Sequence, residues 1–352
     1  MPFSLIDLGW NTFFEAQVSK EDLQNFTIAR VVVEYKNHYL LFSGIGELEA
    51  EPSGKLLYSA SAKSELPKVG DWVLITPYDS NKAVIQAVLK RKTCLSRKVA
   101  GNAHEEQVIA SNLDLLFIVQ GLDDDFSINR LERYLSIVEG AIKPVIVLNK
   151  ADLCTDIETK TTEVKRRLPH VPVITMCALD GSIAGIEAYF TNCATAGFVG
   201  SSGAGKTTLI NRLAGIQLRT AEVRSSDSKG RHTTTNRQLV RLPGGGILID
   251  TPGMRELQLW TTGNLAESAF PEIEELAAHC RFRDCNHTGD EGCAVLQAID
   301  QNELSREQYR NYIKLRREQD YARSLTDRQF EQNRKKQIKK VHRWINQMKR
   351  KK

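Results

Sequence analysis

One stretch near the middle of the chain constrains its fold more than any other. It reads Gly-Ser-Ser-Gly-Ala-Gly-Lys-Thr-Thr, and all nine of its residues are candidate nucleotide ligands: Gly200, Ser201, Ser202, Gly203, Ala204, Gly205, Lys206, Thr207 and Thr208. An apolar run precedes it and a helix-forming segment follows, which is the strand, loop and helix context of a phosphate-binding loop. Backbone N–H groups and the helix N-terminus favour phosphate there, with the lysine on the β- and γ-phosphates and the next hydroxyl on Mg²⁺. The alternative, a glycine-rich turn with a chance lysine, fits the flanking pattern poorly.

A second motif, Asn149-Lys150-Ala151-Asp152, predicts which base is bound. It follows the strand-like run 144–148, so it should lie at the carboxyl edge of a sheet, where α/β folds place ligands. The Asp152 carboxylate can accept hydrogen bonds from N1–H and the exocyclic amine of guanine, whereas adenine would leave it unpaired. Asn149 can contact the N7 side or tie this loop to the phosphate loop, and the Lys150 stem can cover the base. Alone, such a motif is often only a polar loop.

Two further segments complete the set of guanine-nucleotide motifs. Cys177 and Ala178, after the strand-like run 171–174, can offer a backbone N–H to guanine O6. Asp250 follows the strand-like run 246–249 and opens Asp-Thr-Pro-Gly; it should hold Mg²⁺ through water, and the Gly253 N–H should sense the γ-phosphate. Between the phosphate loop and Asp250, the polar segment 230–235 should act as switch I, with Thr234 as its ligand to Mg²⁺ and γ-phosphate.

The order of these motifs is unusual. In ordinary GTPases the phosphate loop comes first and the base-reading loops last, whereas here the segments at 149 and 177 precede the loop at 200. The pattern therefore predicts a circularly permuted sheet whose switch segments lead directly into the residues after 260.

The region before the nucleotide motifs has a β pattern. Short strand-like runs at 30–35, 39–44, 55–59, 70–75 and 83–89 predict a small barrel, with an OB-fold as the leading candidate. Basic residues at its exit (Lys90, Arg91, Lys92, Arg97 and Lys98) would suit RNA phosphates, although a structural barrel with solvated charges fits the same pattern. Residues 98–112 are predicted as a linker. Beyond it, a strand at 114–119 and a helical apolar face over 131–138 predict a strand–helix–strand unit.

Four residues near the C-terminus have metal-ligand spacing. Cys280, Cys285, His287 and Cys293 form Cys-x₄-Cys-x-His-x₅-Cys. Three thiolates and one imidazole make a closed tetrahedral zinc set with no position for a catalytic water, which predicts one structural zinc ion per chain. His279 is an alternative ligand that its neighbour Cys280 disfavours, and reduced cysteines without metal are the bland alternative.

Charge and hydropathy limit the partners and the compartment. The chain has 352 residues and a net charge of +5, yet the segment 334–352 alone carries ten Lys and Arg and no acid, so the basic character belongs to this tail. Tail and barrel together favour a polyanion, most simply RNA, although a solubilising tail would look the same. We find no apolar run of about 18 residues and no signal-peptide pattern. The chain has seven cysteines, an odd number, and four of them are widely scattered, which fits a reducing compartment. These features predict a cytoplasmic protein that does not associate with membranes. We take a monomer as the default oligomeric state.

The permuted motifs, the barrel in front and the Cys-x₄-Cys-x-His-x₅-Cys site behind resemble the bacterial RsgA (YjeQ) family of GTPases that depend on the small ribosomal subunit. The likeness covers about 28 to 320. We accordingly predict three parts: an all-β OB-fold RNA-binding barrel with an N-terminal extension (1–105), a permuted α/β P-loop GTPase domain (106–262) and a mainly helical zinc-binding domain (263–352), whose basic tail is not part of the family pattern. The resemblance implies a late factor in small-subunit maturation that binds the subunit and its rRNA with GTP, hydrolyses GTP to GDP in response, and leaves.

One position departs from the Ras-like pattern. Met254 stands where those enzymes carry a water-positioning Gln, and a thioether cannot orient water. His232 in switch I is the candidate replacement, with packing or RNA contact as its alternative. The departure keeps open a second function, an RNA-binding checkpoint module in which nucleotide only sets conformation, whereas Asp152 argues against a third, a P-loop ATPase.

Overall fold

The computed structural model describes residues 3–36, 38–99, 102–136, 138, 141–179, 181–215, 238–250 and 269–317, with backbone alone for 97–99 and 102–106. The chain divides into two compact units, 1–260 and 261–352. The predicted switch I (including His232 and Thr234), Gly253, Met254 and the basic tail lie outside the described residues.

Five strands close into a barrel at the N-terminus. They are β1 (Thr27–Glu34), β2 (Tyr39–Ser43), β3 (Gly46–Pro52), β4 (Trp72–Asp79) and β5 (Lys82–Val88), in the order β1-β2-β3-β5-β4, and a β1–β4 pairing completes the ring. Alternate residues of each strand face inward, as in β3, where Leu48 and Ala50 are buried and the glutamates between them are exposed. This arrangement confirms the predicted OB-like barrel.

One of the predicted barrel strands is wrong. Residues 55–59 lie in a short helix, α3 (Gly54–Ser59), whose N-cap Ser53 accepts a hydrogen bond from Leu56 N. The third strand is instead β3, whose Gly-Glu-Leu-Glu-Ala-Glu-Pro sequence alternates as a half-buried strand should. A short apolar run, Leu-Leu-Tyr, is compatible with either structure, and here the capping serine decides for the helix.

The predicted linker is also structured. β6 (Cys94–Val99) pairs with β7 (Asn102–Ser111) as an antiparallel hairpin that forms its own two-stranded sheet. Ile109 and Ala110 are buried in an apolar core that they share with the parallel sheet, and Val108 is also buried, so packing orders the later part of this segment.

A mainly parallel sheet follows. Its strands are β8 (Leu115–Gly121), β9 (Lys143–Asn149), β10 (Val173–Thr175), β11 (Thr195–Gly200), β12 (Gln238–Arg241) and β13 (Ile247–Asp250). Their order is β10-β9-β8-β11-β13-β12, and only β12 runs antiparallel to its neighbour. The helices around it are α4 (Ile128–Leu135), α5 (Ile157–Arg167), α6 (Ala184–Glu187) and α7 (Lys206–Ala214). The carboxyl ends of β8, β9, β10, β11 and β13 therefore share one edge, and the predicted motifs at 149, 177, 200 and 250 begin there.

The barrel and the parallel sheet are joined by strand pairing. Val33 of β1 pairs with Gln238 of β12, which makes one continuous 11-stranded sheet in the described part of the chain. A fully buried Arg30 strengthens the junction: it donates to the carbonyls of Leu8 and Gly70 and to Thr195 Oγ1, 3.0 Å away at the start of β11. Burial lowers the pKa of this guanidinium to about 10. The N-terminal segment, with helices α1 (Thr12–Glu15) and α2 (Lys20–Asn25), packs around Trp72 on the barrel.

The second unit is helical. It contains α8 (Pro271–Ala277), α9 (Ala294–Asp300) and a helix at 306–317. Tyr312 of the last helix packs edge-on against Phe270 and donates a 3.0 Å hydrogen bond to Glu274 Oε1 of α8. None of the helices in the described ranges has the length and apolar character needed to cross a membrane.

Candidate nucleotide and metal sites

The phosphate loop connects β11 to α7. Gly200, Gly203 and Gly205 all have positive φ, which L side chains rarely adopt. A Cβ on Gly200 would lie 2.1 Å from Val119 O of β8, and one on Gly205 would lie 2.1 Å from Asn149 Nδ2 at the end of β9, so side chains at these positions would clash with the neighbouring strands. The chain thus needs glycine at both ends of the loop for steric as well as conformational reasons.

Lys206 opens helix α7 and turns back over the loop. Its Nζ donates to the carbonyl oxygens of Gly200 at 2.8 Å and Ser201 at 2.5 Å. The ammonium group is therefore held against the first two residues of the phosphate loop. Thr207 follows in the first turn of the helix and is partly buried. Asp250 ends β13, which is separated from β9 and its base loop by two strands, β8 and β11.

Asn149 ties three loops together. It is 2% exposed, its Nδ2 donates to Ala204 O of the phosphate loop, and its Oδ1 accepts from Ala178 N, both at 2.8 Å. Of the two roles considered for Asn149, the structure has the tie to the phosphate loop. Because the Ala178 N–H is already used, a donor for guanine O6 would have to come from another amide of the 177–179 loop.

A side chain that the sequence pattern did not single out supports the same loop. Arg212 of α7 donates from Nη1 to Ala178 O at 3.0 Å and Gly181 O at 2.7 Å. The phosphate-loop helix therefore holds the 177–181 loop directly. The sequence gives no indication of this role, because Ala178 and Gly181 are 34 and 31 residues from Arg212 and become its neighbours only in the folded sheet.

Lys150 and Asp152 of the base loop differ in exposure: Lys150 is partly buried and Asp152 is exposed. Asp152 lies in a one-turn helix (Ala151–Leu153). Lys150 has φ of 60°, in the left-handed region, and its Nζ lies 2.6 Å from Asp123 Oδ2 in the loop after β8. The Lys150 hydrogen bond is the main cause that lowers the pKa of Asp123. Asp123 is the second residue that sequence reasoning missed.

Part of the basic cluster at the barrel exit has a structural role. Arg91 binds both carboxylate oxygens of the buried Asp71 at 2.8 Å and donates to the Ser64 and Leu66 carbonyls. Lys92 pairs with Asp114 at 2.9 Å. The prediction that this cluster contacts phosphates therefore fits Lys90, which is exposed, better than Arg91. For Arg97 and Lys98 the structure describes the backbone alone.

The second unit brings the four predicted metal ligands together. The donor atoms of Cys280, Cys285, His287 and Cys293 all lie within 4.8 Å of one another. Cys280 Sγ is 3.9 Å from Cys293 Sγ, and His287 Nδ1 is 3.6 and 3.5 Å from these two sulfurs. Tetrahedral zinc with its usual bond lengths would place sulfurs about 3.8 Å apart and sulfur and nitrogen about 3.6 Å apart.

Neighbouring residues shape this cluster. Asp290 Oδ2 accepts from Asn286 N at 2.9 Å and lies 3.3 Å from Cys285 Sγ, which fixes the turn between two ligands. Tyr309 donates to the carbonyl of His287, whose φ of 59° is left-handed. The thiols are mostly buried, and burial raises the pKa of Cys285 to about 12, so a cation is needed to hold the thiolate. The donor set therefore fits a metal ion.

The comparisons with known proteins agree with this geometry. A family model described as "RsgA GTPase" matches residues 88–260, and a second, "50S ribosome-binding GTPase", matches 195–351. The "Small ribosomal subunit biogenesis GTPase RsgA" of Opitutus terrae is 43% identical over 337 residues, which cover 92% of each chain. The chain belongs to the RsgA GTPase family. As a member, it is a GTP hydrolase.

Further relatives extend this result. The "Small ribosomal subunit biogenesis GTPase RsgA 2" of Lactiplantibacillus plantarum is 44% identical, with 94% of each chain covered. Among solved structures, YjeQ from Thermotoga maritima matches with a TM-score of 0.64 at 25% identity, over 82% of this chain and 97% of that one. YloQ, described as a circularly permuted GTPase, has a TM-score of 0.61 at 23% identity over 86% and 96% of the two chains, which supports the fold. The RsgA fold predicted from the motif order, the barrel and the C-terminal ligand spacing is thus confirmed.

Proposed function

We propose that this chain hydrolyses GTP during late maturation of the small ribosomal subunit. In this proposal it binds the subunit with GTP, contacts rRNA through the barrel and the metal-binding unit, and is released after hydrolysis to GDP. The observation that carries it is 43–44% identity, over more than nine-tenths of the chain, to proteins named small ribosomal subunit biogenesis GTPases. The parts 1–105, 106–262 and 263–352 remain the proposed functional divisions, in the cytoplasm and as a monomer.

The proposed nucleotide chemistry follows from the edge of the sheet. Asp152 would select guanine, Asn149 would keep the base and phosphate loops in register, and the loop N–H groups with Lys206 would bind the phosphates. Mg²⁺ would be held by Thr207 and, through water, by Asp250, and it would neutralise charge on the β- and γ-phosphates. Thr234, Gly253 and His232 complete the proposal from sequence alone, His232 as the group that orders the attacking water in place of Met254.

The proposed metal is structural zinc. Three thiolates with one imidazole at tetrahedral spacing suit zinc better than magnesium or calcium, which prefer oxygen ligands. A closed set of four protein ligands leaves no position for substrate. Its contribution would be to fold a segment that has a small apolar core of its own.

The decisive experiment is steady-state hydrolysis of GTP and ATP by the purified protein, alone and with isolated small or large ribosomal subunits, over a salt series. We expect slow basal turnover, strong stimulation by the small subunit for GTP only, and a loss of stimulation with salt as counterion release requires. Partner stimulation of GTPases spans about 10³- to 10⁵-fold. A rate that stays basal with every subunit would favour the second candidate, a nucleotide-gated RNA-binding checkpoint. Met254, in place of a water-positioning Gln, is the observation that keeps this candidate open.

Two substitutions test the assigned roles. Asp152→Asn should shift preference away from guanine, and retained GTP selectivity would contradict that assignment. His232→Ala should lose subunit-stimulated turnover while keeping GTP binding; an unchanged stimulated rate would remove His232 from the mechanism.

A further inference from the structure

The loop between β8 and α4, residues 122–126 (Leu-Asp-Asp-Asp-Phe), has no role in the motifs described so far. Strand β8 lies between β9 and β11 in the sheet. Its loop therefore emerges between the base loop, which follows β9, and the phosphate loop, which follows β11. We call residues 122–126 the acidic loop.

The acidic loop is anchored to the nucleotide edge along its length. Leu122 N donates to Asn149 O at 2.8 Å, and Lys160 Nζ donates to Leu122 O at 3.1 Å. Gln120 Nε2 donates to Asp125 O at 2.7 Å, and Asp125 N donates to Asp123 Oδ1 at 3.3 Å. These bonds hold the carboxylate of Asp123 in a defined place, unlike a side chain on a solvated turn.

The acidic loop contacts the base loop directly, because Asp123 holds the Lys150 ammonium at 2.6 Å. Asp125 pairs with Arg130, which, together with the nearby Ser201 side chain of the phosphate loop, lowers the pKa of Asp125. The acidic loop thus holds the base loop on one side and lies beside the phosphate loop on the other.

Lys150 is the side chain whose placement matters most here. Its stem is proposed to cover the guanine ring, yet lysine has four flexible bonds, and fixing them on binding costs affinity. The Lys150 backbone already adopts a left-handed conformation, and the ion pair fixes the far end of the side chain. The two side chains are 29% and 26% exposed, so the pair is neither buried nor fully solvated.

We propose that Asp123 is a positioning residue for guanine-nucleotide binding, which acts by holding Lys150 extended against the base. The inference rests on the proposed placement of the base beside Lys150 and Asp152. It predicts an effect that is independent of the number of phosphates. It is also independent of the exocyclic amine of guanine, because a lysine stem covers guanine and hypoxanthine alike, whereas Asp152 distinguishes them.

The test is fluorescence titration with labelled GDP, GTP and IDP on full-length protein. Asp123→Asn keeps the shape and removes the charge, and should weaken all three nucleotides by the same factor, about 3- to 10-fold, the size of ordering one long side chain. Asp124→Asn is the matched control, since it removes the same charge from an exposed position of the same loop, and its affinities should stay within about 2-fold of wild type. Asp123→Glu should recover most of the loss.

A double-mutant cycle separates this role from a general electrostatic or structural effect. If Asp123 acts through Lys150, Asp123→Asn should cause no further loss in a Lys150→Met background. An unchanged affinity for Asp123→Asn, or an equal loss with and without Lys150, would overturn the inference. Wild-type protein that binds ADP as well as GDP would instead refute the proposed base site. Thermal melting of each nucleotide-free variant checks that the loop substitutions leave the fold intact.

Discussion

Replacing Asn149 with alanine tests how the nucleotide edge is held together. The side chain is buried and makes two 2.8 Å hydrogen bonds, one to Ala204 O and one from Ala178 N. Truncation leaves that carbonyl and that N–H without their partner, and each buried unsatisfied group costs about 1–3 kcal/mol. We therefore expect the free energy of unfolding to fall by about 2–5 kcal/mol, a large share of the about 5–15 kcal/mol typical of folded domains.

The assay is urea unfolding of the nucleotide-free protein, followed by GDP titration at low urea. Asn149→Asp is the matched variant: it keeps the acceptor for Ala178 N but turns an oxygen toward Ala204 O, so it should be at least as destabilised as Asn149→Ala. If Asn149→Ala unfolds within about 0.5 kcal/mol of wild type, the tie between loops contributes little and our reasoning is refuted. A loss of GDP affinity without a loss of stability would assign Asn149 to the N7 side of the base instead.

Three further predictions address other parts of the molecule. Arg167→Met removes the guanidinium that pairs with the carboxylate of Glu132, which is 0% exposed, so urea unfolding should show a loss of about 3–5 kcal/mol, and a milder loss when Glu132 is also replaced by Met. Metal analysis should find one zinc ion per chain, removed by Cys285→Ser with a drop in melting temperature, whereas Cys94→Ser in the first unit keeps the metal; equal metal content in both variants would contradict the site. Burial raises the pKa of Tyr39 to about 12 from its ordinary 10, so the stability it contributes is full below pH 10 and is lost as pH rises toward 12; Tyr39→Phe should show a shallower loss of unfolding free energy over that range.

The nucleotide edge could be predicted from sequence because its motifs combine residue type with position. Each begins where a strand-like run ends, and parallel strands bring their carboxyl ends together whatever their order in the chain. The permuted order of the motifs at 149, 177, 200 and 250 therefore predicted the sheet, and the family followed once the barrel in front and the Cys-x₄-Cys-x-His-x₅-Cys site behind were added. The metal cluster could be found for a similar reason, since ligand type and spacing are themselves the signal.

The residues that support these sites gave no such signal. Asp123 is 27 positions from Lys150, and Arg212 is 34 from Ala178, so only the folded sheet makes them neighbours. The errors in the barrel have a local cause instead: the Leu-Leu-Tyr run at 56–58 suits a strand or a helix, and the capping role of Ser53 settles it. Sequence patterns thus identify the candidate ligand-binding residues better than the residues that hold them in place.

The junction between barrel and GTPase sheet shows where a sequence boundary and a packing boundary differ. The change of pattern near residue 105 separates an all-β part from an α/β part. The structure nevertheless pairs β1 with β12 and places the buried guanidinium of Arg30 across the junction to Thr195, so both parts belong to one compact unit. β12 starts directly after the predicted switch I and leads through β13 to Asp250. The barrel is therefore paired with the strand that lies between the two segments predicted to sense the nucleotide. If the barrel binds RNA as proposed, we expect a ligand that displaced β1 to strain or break this pairing, and so to act on the proposed nucleotide edge.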